Sequence, residues 1–345
     1  MMNVTNHCEW IQVDQSVRTG PTATVLLPSW KRPKDLARCL ESLAAQTISP
    51  LEVVIVWQSD DTATRDLAIS LRHLLPCGIR IVHSPEPGVV PAENVALSFA
   101  CGDVMVLIDD DVVVPPTWLE RLLAHYSDPS VGAVGGPIVN HRLDGQQFPK
   151  RRPKAIARVS WYGRFFGNTY DIAEDLLGGV TEVQHLAGNN MSLRRNAFGR
   201  FESSLRAYWQ FFEADACLQV QRNGFRVLFD SGNPADHYPT NTAFVGDRTG
   251  DLSIKVLNPA YNHALILAKF MPWYYRPWQL LYLLAVGTVG SPGLLAMFIA
   301  ARRFGNLRRE VNLLWRTWCC RLSGWRRGRQ LAAAQFTGKS RTLHV

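Results

Sequence analysis

Val104-Met105-Val106-Leu107-Ile108-Asp109-Asp110-Asp111 joins five consecutive apolar residues to three consecutive carboxylates. An apolar run of this kind is the pattern of a strand covered on both faces, as in a parallel sheet. Toward the N-terminus, Pro91 to Ala100 predicts a helix, Arg80 to His83 a strand, Asp66 to Leu75 a helix and Leu51 to Trp57 a further buried strand. Before them, Pro33 and Asp35 open a helix in which Leu36, Leu40, Leu43 and Ala44 recur at helical spacing, and Thr24 to Pro28 reads as the first strand. This β-α alternation predicts an α/β fold, a doubly wound and mostly parallel sheet with right-handed crossovers. In such sheets ligands bind outside the carboxyl ends of the strands. Two polar clusters, Trp57 to Asp61 and Asp109 to Asp111, fall at those ends.

Three adjacent aspartates repel one another unless a cation sits among them. A hard ion such as Mg²⁺ or Mn²⁺ takes one or two carboxylates plus phosphate oxygens and water. The competing explanation is a helix N-terminus, since Pro115, Pro116 and Trp118 follow and acids favour that end. A cap needs one aspartate, nearer Thr117, so the cluster is expected to hold a metal.

Several motifs in order resemble a family-2 glycosyltransferase of the GT-A fold, a Rossmann-like sheet architecture, over roughly Thr24 to His237. Leu26-Leu27-Pro28-Ser29-Trp30-Lys31-Arg32-Pro33 resembles the opening strand and nucleotide loop, and Leu40 to Leu43 with Gln46-Thr47 the helix after it. Glu86-Pro87-Gly88-Val89, Ala92 to Leu97 and Gly102-Asp103-Val104 resemble the run into the family's Asp-x-Asp motif, carried here by Asp109, Asp110 and Asp111. Gly188-Asn189-Asn190-Met191-Ser192 resembles the segment lining the donor-sugar and acceptor pocket. Glu213 to Leu218, followed by Asn223-Gly224-Phe225-Arg226, is similar to the helix that supplies the catalytic base, and Asp236-His237 to a late histidine near the metal or diphosphate.

The resemblance implies an inverting displacement from a nucleotide-sugar donor. Pro28, Ser29, Arg32, Gln58, Asp60, Asn94, Asp109 and Asp110 would bind the donor, Asp109, Asp111 and His237 the metal, and Gly188, Asn189 and Asn190 the sugar or acceptor. Glu213, ahead of Asp215, would be the base, with Phe211 and Phe212 beside it. Two residues apart on a helix, Glu213 and Asp215 diverge, so at most one reaches the acceptor. The sequence departs from the family where Trp57 replaces an aspartate that reads the nucleobase, leaving Gln58, Asp60 or Asp61 to take over. It departs also where Glu93 replaces an arginine, and where Phe212-Glu213 replaces Glu-Asp. Trp161, Tyr162, Phe165 and Phe166 would either stack on sugars or pack a core.

With 345 residues, 47% apolar and 19% charged, the chain is long enough for a full catalytic domain, 23–250, and an appended module, 251–345, after a polar lead-in over 1–22. Nine of the 37 basic residues and one of the 29 acidic residues lie between Arg302 and Arg329, which leaves 28 of each elsewhere. A neutral body with one basic tail excludes a nucleic-acid groove and favours an anionic membrane surface. Trp278 to Ala301 carries no charge over 24 residues, but Gly287, Gly290, Ser291, Pro292 and Gly293 interrupt it. A span would also set the arginines opposite a cytosolic domain, so an interfacial or re-entrant hairpin is expected. Beyond it, Leu307, Val311, Leu314, Trp315, Trp318, Leu322 and Trp325 form a stripe expected of an interfacial helix, the alternative being a helix packed in a soluble bundle.

The polar N-terminus lacks a secretory h-region, and seven cysteines without a C-x-x-C pair suit reduced cytosol. These features place the protein at the cytoplasmic face of a membrane, with a glycan or lipid-linked acceptor of the cell envelope. The rival readings are a nucleotidyltransferase, for which the glycine-rich phosphate loop is missing after the first strand, and a membrane scaffold on a decayed transferase fold.

Overall fold

The computed structural model describes residues 20–142, 146–167, 169–176, 178–206, 211–239, 253–288, 291–295, 298–299 and 307–341. Most of the polar lead-in, Cys8, Gly290, Arg302 and Arg303 lie outside these residues. Two compact units form. The first holds Met1–Arg158, Gly167–Phe201 and Ala216–Thr242, and the second Val159–Phe166, Glu202–Asp215 and Ala243–Val345. The division is therefore not one cut near residue 250: two earlier segments, one bearing Glu213, join the second unit.

The first unit is built on β1 (Ala23–Ser29), α1 (Pro33–Ala44), β2 (Glu52–Gln58), α2 (Thr62–Ser70), β3 (Gly78–Ser84), α3 (Val89–Phe99) and β4 (Val104–Leu107). It continues through β5 (Val112–Val113), α4 (Trp118–Ala124), β6 (Val131–Gly135) and β7 (Ile138–Asn140). Along the chain then follow β8 (Arg158–Val159), β9 (Phe165–Phe166), β10 (Val180–Glu182), β11 (Met191–Arg194), α5 (Phe212–Arg222), β12 (Arg226–Asp230) and β13 (Ala235–His237); β8 and β9 pair as a separate ribbon, and β9 and the start of α5 belong to the second unit. The main sheet runs β10-β12-β6-β11-β4-β1-β2-β3, parallel from β4 to β3 and between β12 and β6, with β11 and β10 antiparallel to their neighbours. The mixed, mostly parallel doubly wound sheet is as the alternation predicted.

Every residue of β1 is buried, because α1 and α3 cover its faces with Leu36, Leu40, Leu43, Ala92 and Ala96. A buried acid anchors the sheet's lower end. Glu52 accepts from Thr24 Oγ1 at 3.0 Å, Cys101 N at 2.7 Å and Arg80 Nε at 2.6 Å, so its charge is fully answered. Gly102 makes the approach possible, since a Cβ there would meet Thr24 N at 2.6 Å. At the upper end, Leu26 O accepts from Ile108 N at 3.4 Å, and the β1–β4 register ends at Leu26↔Leu107. Pro28 alternates to the same side, so its missing N–H points where β4 no longer pairs. The two strands part there.

The helix read at Asp66 to Leu75 instead occupies Thr62–Ser70, because Asp61 caps it, Oδ1 accepting from Thr64 N at 3.2 Å. Cys39, Cys77, Cys217, Cys319 and Cys320 stand outside disulfides, but Cys101 is disulfide-bonded, which departs from the expectation of seven reduced thiols.

The second unit centres on α6 (Asn258–Phe270), buried from Pro259 through Lys269 and flanked by α7 (Arg276–Ala285) and α8 (Leu307–Arg341). Gly287, at φ 72°, and its bridge to Pro292 break the uncharged run where the sequence predicted. Among the described residues no helix is long and apolar enough to cross a membrane.

The stripe expected on α8 divides. Leu314 is buried, while Val311, Trp315 and Leu322 are exposed. The face turned inward is instead Thr317, Arg321, Gly324 and Gly328, which lies against α6. A Cβ at Gly324 would stand 2.2 Å from Tyr261 O, and at Gly328 2.2 Å from Leu265 O, so the helices touch backbone to backbone. Arg321, counted in the basic tail, turns inward and donates to Ser291 O and to Pro292 O. Burial pulls its pKa down to about 10.

Gly324→Val should push α8 off α6 and lower stability by about 1–3 kcal/mol, the usual cost of overpacking. Chemical denaturation would detect this, and an unchanged midpoint would refute the contact.

Candidate active site

β4 delivers its three aspartates to the gap left by Pro28. Val112 N closes the turn onto Asp109 O at 3.2 Å, and β5 then leaves the main sheet to join β13 and β7. The pairing His237↔Val112 and the 2.8 Å bond from Tyr238 N to Asp111 O set His237 beside Asp111.

Asp110 Oδ2 accepts from Ser29 Oγ at 2.6 Å, and its Oδ1 lies 2.8 Å from Arg32 Nη2. Arg32 also pairs with Asp111 Oδ2. One guanidinium thus bridges two consecutive carboxylates. Burial opposes the charge on Arg32, but Asp110, Asp111 and Asp109 hold its pKa above the usual value.

Asp111 Oδ1 is 3.4 Å from His237 Nε2 and no donor completes a hydrogen bond to it. His237 Nδ1 sits 2.7 Å from Asn140 Oδ1, whose amide is oriented by a 3.0 Å bond from Asn140 Nδ2 to Asp171 Oδ2. Nδ1 therefore carries the proton, and in the neutral ring the Nε2 lone pair faces Asp111. A carboxylate oxygen and an imidazole nitrogen fit a divalent ion whose other ligands are phosphate oxygens and water. Among the described residues no three His, Cys, Asp or Glu side chains gather at metal-binding spacing. Asp109, expected as a third ligand, is not brought into the pair.

The loops around the aspartates are held in uncommon conformations. Lys31 and Ser59, at the carboxyl ends of β1 and β2, both have φ 55°. Asp61 accepts from Lys31 N, and Ser59 N donates to Ser84 O at 2.9 Å. Asp61 is thus committed to the backbone, Asp60 is exposed, and Gln58 Oε1 accepts from Gly88 N at 2.8 Å. Where an acid was expected, Trp57 stacks on His83 at 4.0 Å, with Arg65 5.6 Å from the indole. Glu93 is buried with Oε2 unbonded, and burial together with Asp109 raises its pKa well above the ordinary value.

Three expected ligand contacts have other duties. Asn94 holds the backbone of Phe201, Nδ2 to O at 3.1 Å and Oδ1 from N at 3.0 Å. Asn190 accepts from Trp118 Nε1 at 2.9 Å and donates to Pro137 O at 3.2 Å and Asn233 O at 3.1 Å. Its amide fastens the core, with both N–H groups taken and the residue fully buried. Gly188 and Asn189 share its short helical turn, where Asn189 Oδ1 accepts from Tyr170 at 3.5 Å. Asp215, in the second unit, is fully buried with Oδ1 2.6 Å from Lys269 Nζ, so it is committed to an ion pair rather than available as a base. Glu213, two residues earlier in the same first turn of α5, is half-buried. Phe165 and Phe211 pack on His263, a core contact, whereas Trp161 meets Tyr162, Tyr275 and Trp278 but stays half exposed, and Phe166 is exposed.

Sequence reasoning missed Lys269, Asn140 and Asp171. Lys269 left a signal: it is the one charge in the run Ala264-Leu265-Ile266-Leu267-Ala268-Lys269-Phe270. Asn140 and Asp171 left none, because only strand pairing brings them to His237.

Burial raises Asp109 to about 6 and Asp110 to about 8, Asp111 adding to both and Arg32 opposing both. For Asp111 burial pushes the same way, but His237 and Arg32 outweigh it and hold the pKa low. Crowding thus penalises two of the aspartates and not the third. Asp109 and Asp110 bind protons more tightly folded than unfolded, so their contribution is full below about pH 4 and is lost as pH rises through 6 to 8. Asp110→Asn should therefore flatten the fall in melting temperature between pH 5 and about 8 in EDTA. A fall as steep as in the wild type would contradict the assignment.

The glycosyl transferase family 2 profile matches residues 24–200. The chain is 25% identical over 227 residues to the glucosyl-dolichyl phosphate glucuronosyltransferase of Haloferax volcanii, covering 61% of this chain and 66% of that protein. It is 34% identical over 116 residues to the succinoglycan biosynthesis protein ExoM of Rhizobium meliloti, 33% of this chain and 37% of the relative. The chain thus spans two thirds or less of the length of both relatives. In fold it is similar to GalNAc-T7 crystallised with UDP, GalNAc and Mn²⁺, with a TM-score of 0.57, 13% identity, and coverage of 76% of this chain and 50% of that one. The sheet, the three aspartates on β4 and the profile match agree, and the chain belongs to glycosyl transferase family 2.

Proposed function

We propose that the protein transfers a sugar, with inversion, from a nucleotide-diphosphate sugar to a glycan or lipid-linked acceptor of the cell envelope. The observation that carries this reading is the Asp111–His237 pair beside Arg32, at the carboxyl ends of the strands of a family-2 sheet. Mg²⁺ or Mn²⁺ between Asp111 and His237 would supply positive charge against the leaving diphosphate. The fold neighbour's Mn²⁺ and UDP support that choice.

Asn140 and Asp171 keep His237 in the tautomer that can ligate, and Ser29 and Arg32 hold Asp110 and Asp111 in place. Glu213 takes the proton of the acceptor hydroxyl as its oxygen forms the bond to the anomeric carbon. The bond from that carbon to the diphosphate oxygen breaks with its electron pair, and the nucleoside diphosphate leaves. Half-buried Glu213 suits this role better than Asp215, whose charge is locked to Lys269. Trp57 and His83 take the place of the acid that usually reads the nucleobase, which favours stacking over a carboxylate contact.

Glu213→Gln should keep Mn²⁺-dependent donor binding and lower turnover on the order of a hundredfold or more. Melting shifts with UDP-, GDP- and dTDP-sugars, beside nucleoside diphosphate release, would measure both. If Asp215→Asn shows that pattern instead, the base is misassigned.

The same reading places the second unit on an anionic membrane as a monotopic attachment at its cytoplasmic face. Trp273, Trp278, Leu281, Ile299 and Trp315 are all more than half exposed there, and Arg316, Arg326 and Arg327 are exposed on α8. Aromatic and apolar side chains would insert at the headgroup boundary while each arginine adds about 1 kcal/mol. Because α8 packs on α6, truncation would open the core, whereas Trp273→Ser with Trp278→Ser and Trp315→Ser would not. The triple variant should lose flotation on phosphatidylserine liposomes while melting as the wild type. A full-length chain that never floats would leave the aromatic surface without this role.

A further inference from the structure

The segment that carries Glu213 is fastened to α6 at four places within the second unit. Lys269 Nζ, 4% exposed, donates to Glu202 Oε2 at 3.0 Å and to Asp215 Oδ1 at 2.6 Å, so one ammonium ties together the two ends of the segment. Two turns earlier on the same face of α6, Asn262 Oδ1 accepts from Arg206 N at 2.8 Å and Nδ2 donates to Arg206 O at 3.1 Å. The Arg206 guanidinium lies 4.0 Å over the Tyr261 ring. Phe211, held at φ 80°, stacks on His263 at 5.1 Å and 9°, and His263 in turn donates from Nε2 to Gly163 O at 2.7 Å. Burial pulls His263 down to about 4, so the ring under Phe211 is neutral.

Of these fastenings only Lys269 reaches the helix turn that bears Glu213. Asp215 N donates back to Phe211 O at 2.9 Å, so fixing Asp215 also fixes the strained residue at the helix start. Lys269 outweighs the burial of Glu202 and holds that carboxyl below its ordinary pKa, so the second anchor stays charged. Asp215, placed by its sequence among candidate bases, is the part of the first turn that is gripped.

We propose that Lys269 is a positioning residue for the transfer reaction: by clamping Glu202 and Asp215 it sets the first turn of α5 and so aims Glu213 at the acceptor hydroxyl. The proposal rests on the assignment of Glu213 as base. Lys269 touches no substrate, and its effect passes through Asp215.

The test uses the full chain and three variants. Lys269→Met takes the ammonium away from fully buried Asp215 and is expected to melt early. Lys269→Met with Asp215→Asn removes the fully buried pair at near-constant volume and leaves Glu202, which also accepts from Ser204 N at 3.0 Å, without its ammonium, so it should regain most of the melting temperature that Lys269→Met loses. With UDP-, GDP- and dTDP-sugars and Mn²⁺, release of nucleoside diphosphate to water by the double variant should show a donor KM within about twofold of wild type. Its kcat should be lowered by about tenfold or more, as a misaimed base requires. Hydrogen exchange in peptides covering 202–206 and 211–215 should quicken about tenfold, while the peptide covering β4 and the aspartates keeps its rate.

A double variant that regains both melting temperature and kcat shows that Lys269 merely neutralises a charge, and overturns the proposal. Wild-type exchange in those two peptides overturns it independently of any turnover. Glu213→Gln separates the two levels of the argument: if it is inactive while the double variant is active, the clamp fails and the base stands. If Glu213→Gln keeps turnover, the base assignment fails and the proposal with it.

Discussion

Three carboxylates at the end of a buried strand need a counter-charge, and in this protein that charge is Arg32. Its guanidinium spans Asp110 and Asp111, and the arrangement around it follows from keeping it there. Arg32 sits between β1 and α1, immediately before Pro33, so the geometry of one turn decides whether it can reach. That turn is held by the left-handed Lys31, whose amide is taken by Asp61 from the end of β2. Pro28 spaces β4 from β1 at the same level. The acid cluster is thus a property of three strand ends acting together, and a cation added to it meets a site already balanced on one side by arginine.

The smaller sheet of β5, β13 and β7 makes the cluster asymmetric. It sets His237 against Asp111, with Asp109 feeling its charge more weakly and with Asn140 and Asp171 behind it. The consequence is electrostatic. Asp111 is the aspartate that stays ionised, while burial favours the protonated forms of its two neighbours. A metal site drawn through Asp111 and His237 uses the one carboxylate whose charge the fold already supports.

The second unit solves a different problem, that of burying a helix on all sides. α6 accepts α8 through two glycines and, within the same unit, turns Asn262, His263 and Lys269 to the segment before Asp215. Buried ion pairs contribute little net stability, because desolvation offsets the attraction. Their use here is geometric: a partnered carboxylate in a dry site has few places to be. Arg321 follows the same logic, closing the turn after α7 instead of facing outward with its neighbours.

The apolar run from Val104 to Ile108, the alternation before it and the order of the motifs determined the doubly wound sheet and the family. These signals are local or periodic, so a linear reading captures them. The glycines and proline after Trp278 likewise marked the break in the uncharged run. What the sequence left open depended on partners far away along the chain. Asn94 and Asn190 have the residue type of ligand contacts, and only packing shows that Asn94 clasps the Phe201 backbone and that Asn190 spends both its N–H groups and its carbonyl inside the core. Asp215 and Glu213 are two positions apart and chemically alike, and a lysine 54 residues onward separates their roles. On α8 the apolar stripe was legible, but the glycine face packs more closely, since backbone contact requires the absence of a side chain rather than the presence of one. Periodicity reports which residues avoid water; tertiary structure decides which polar atoms are already spoken for, because each hydrogen bond is settled by a distance that no spacing in sequence contains.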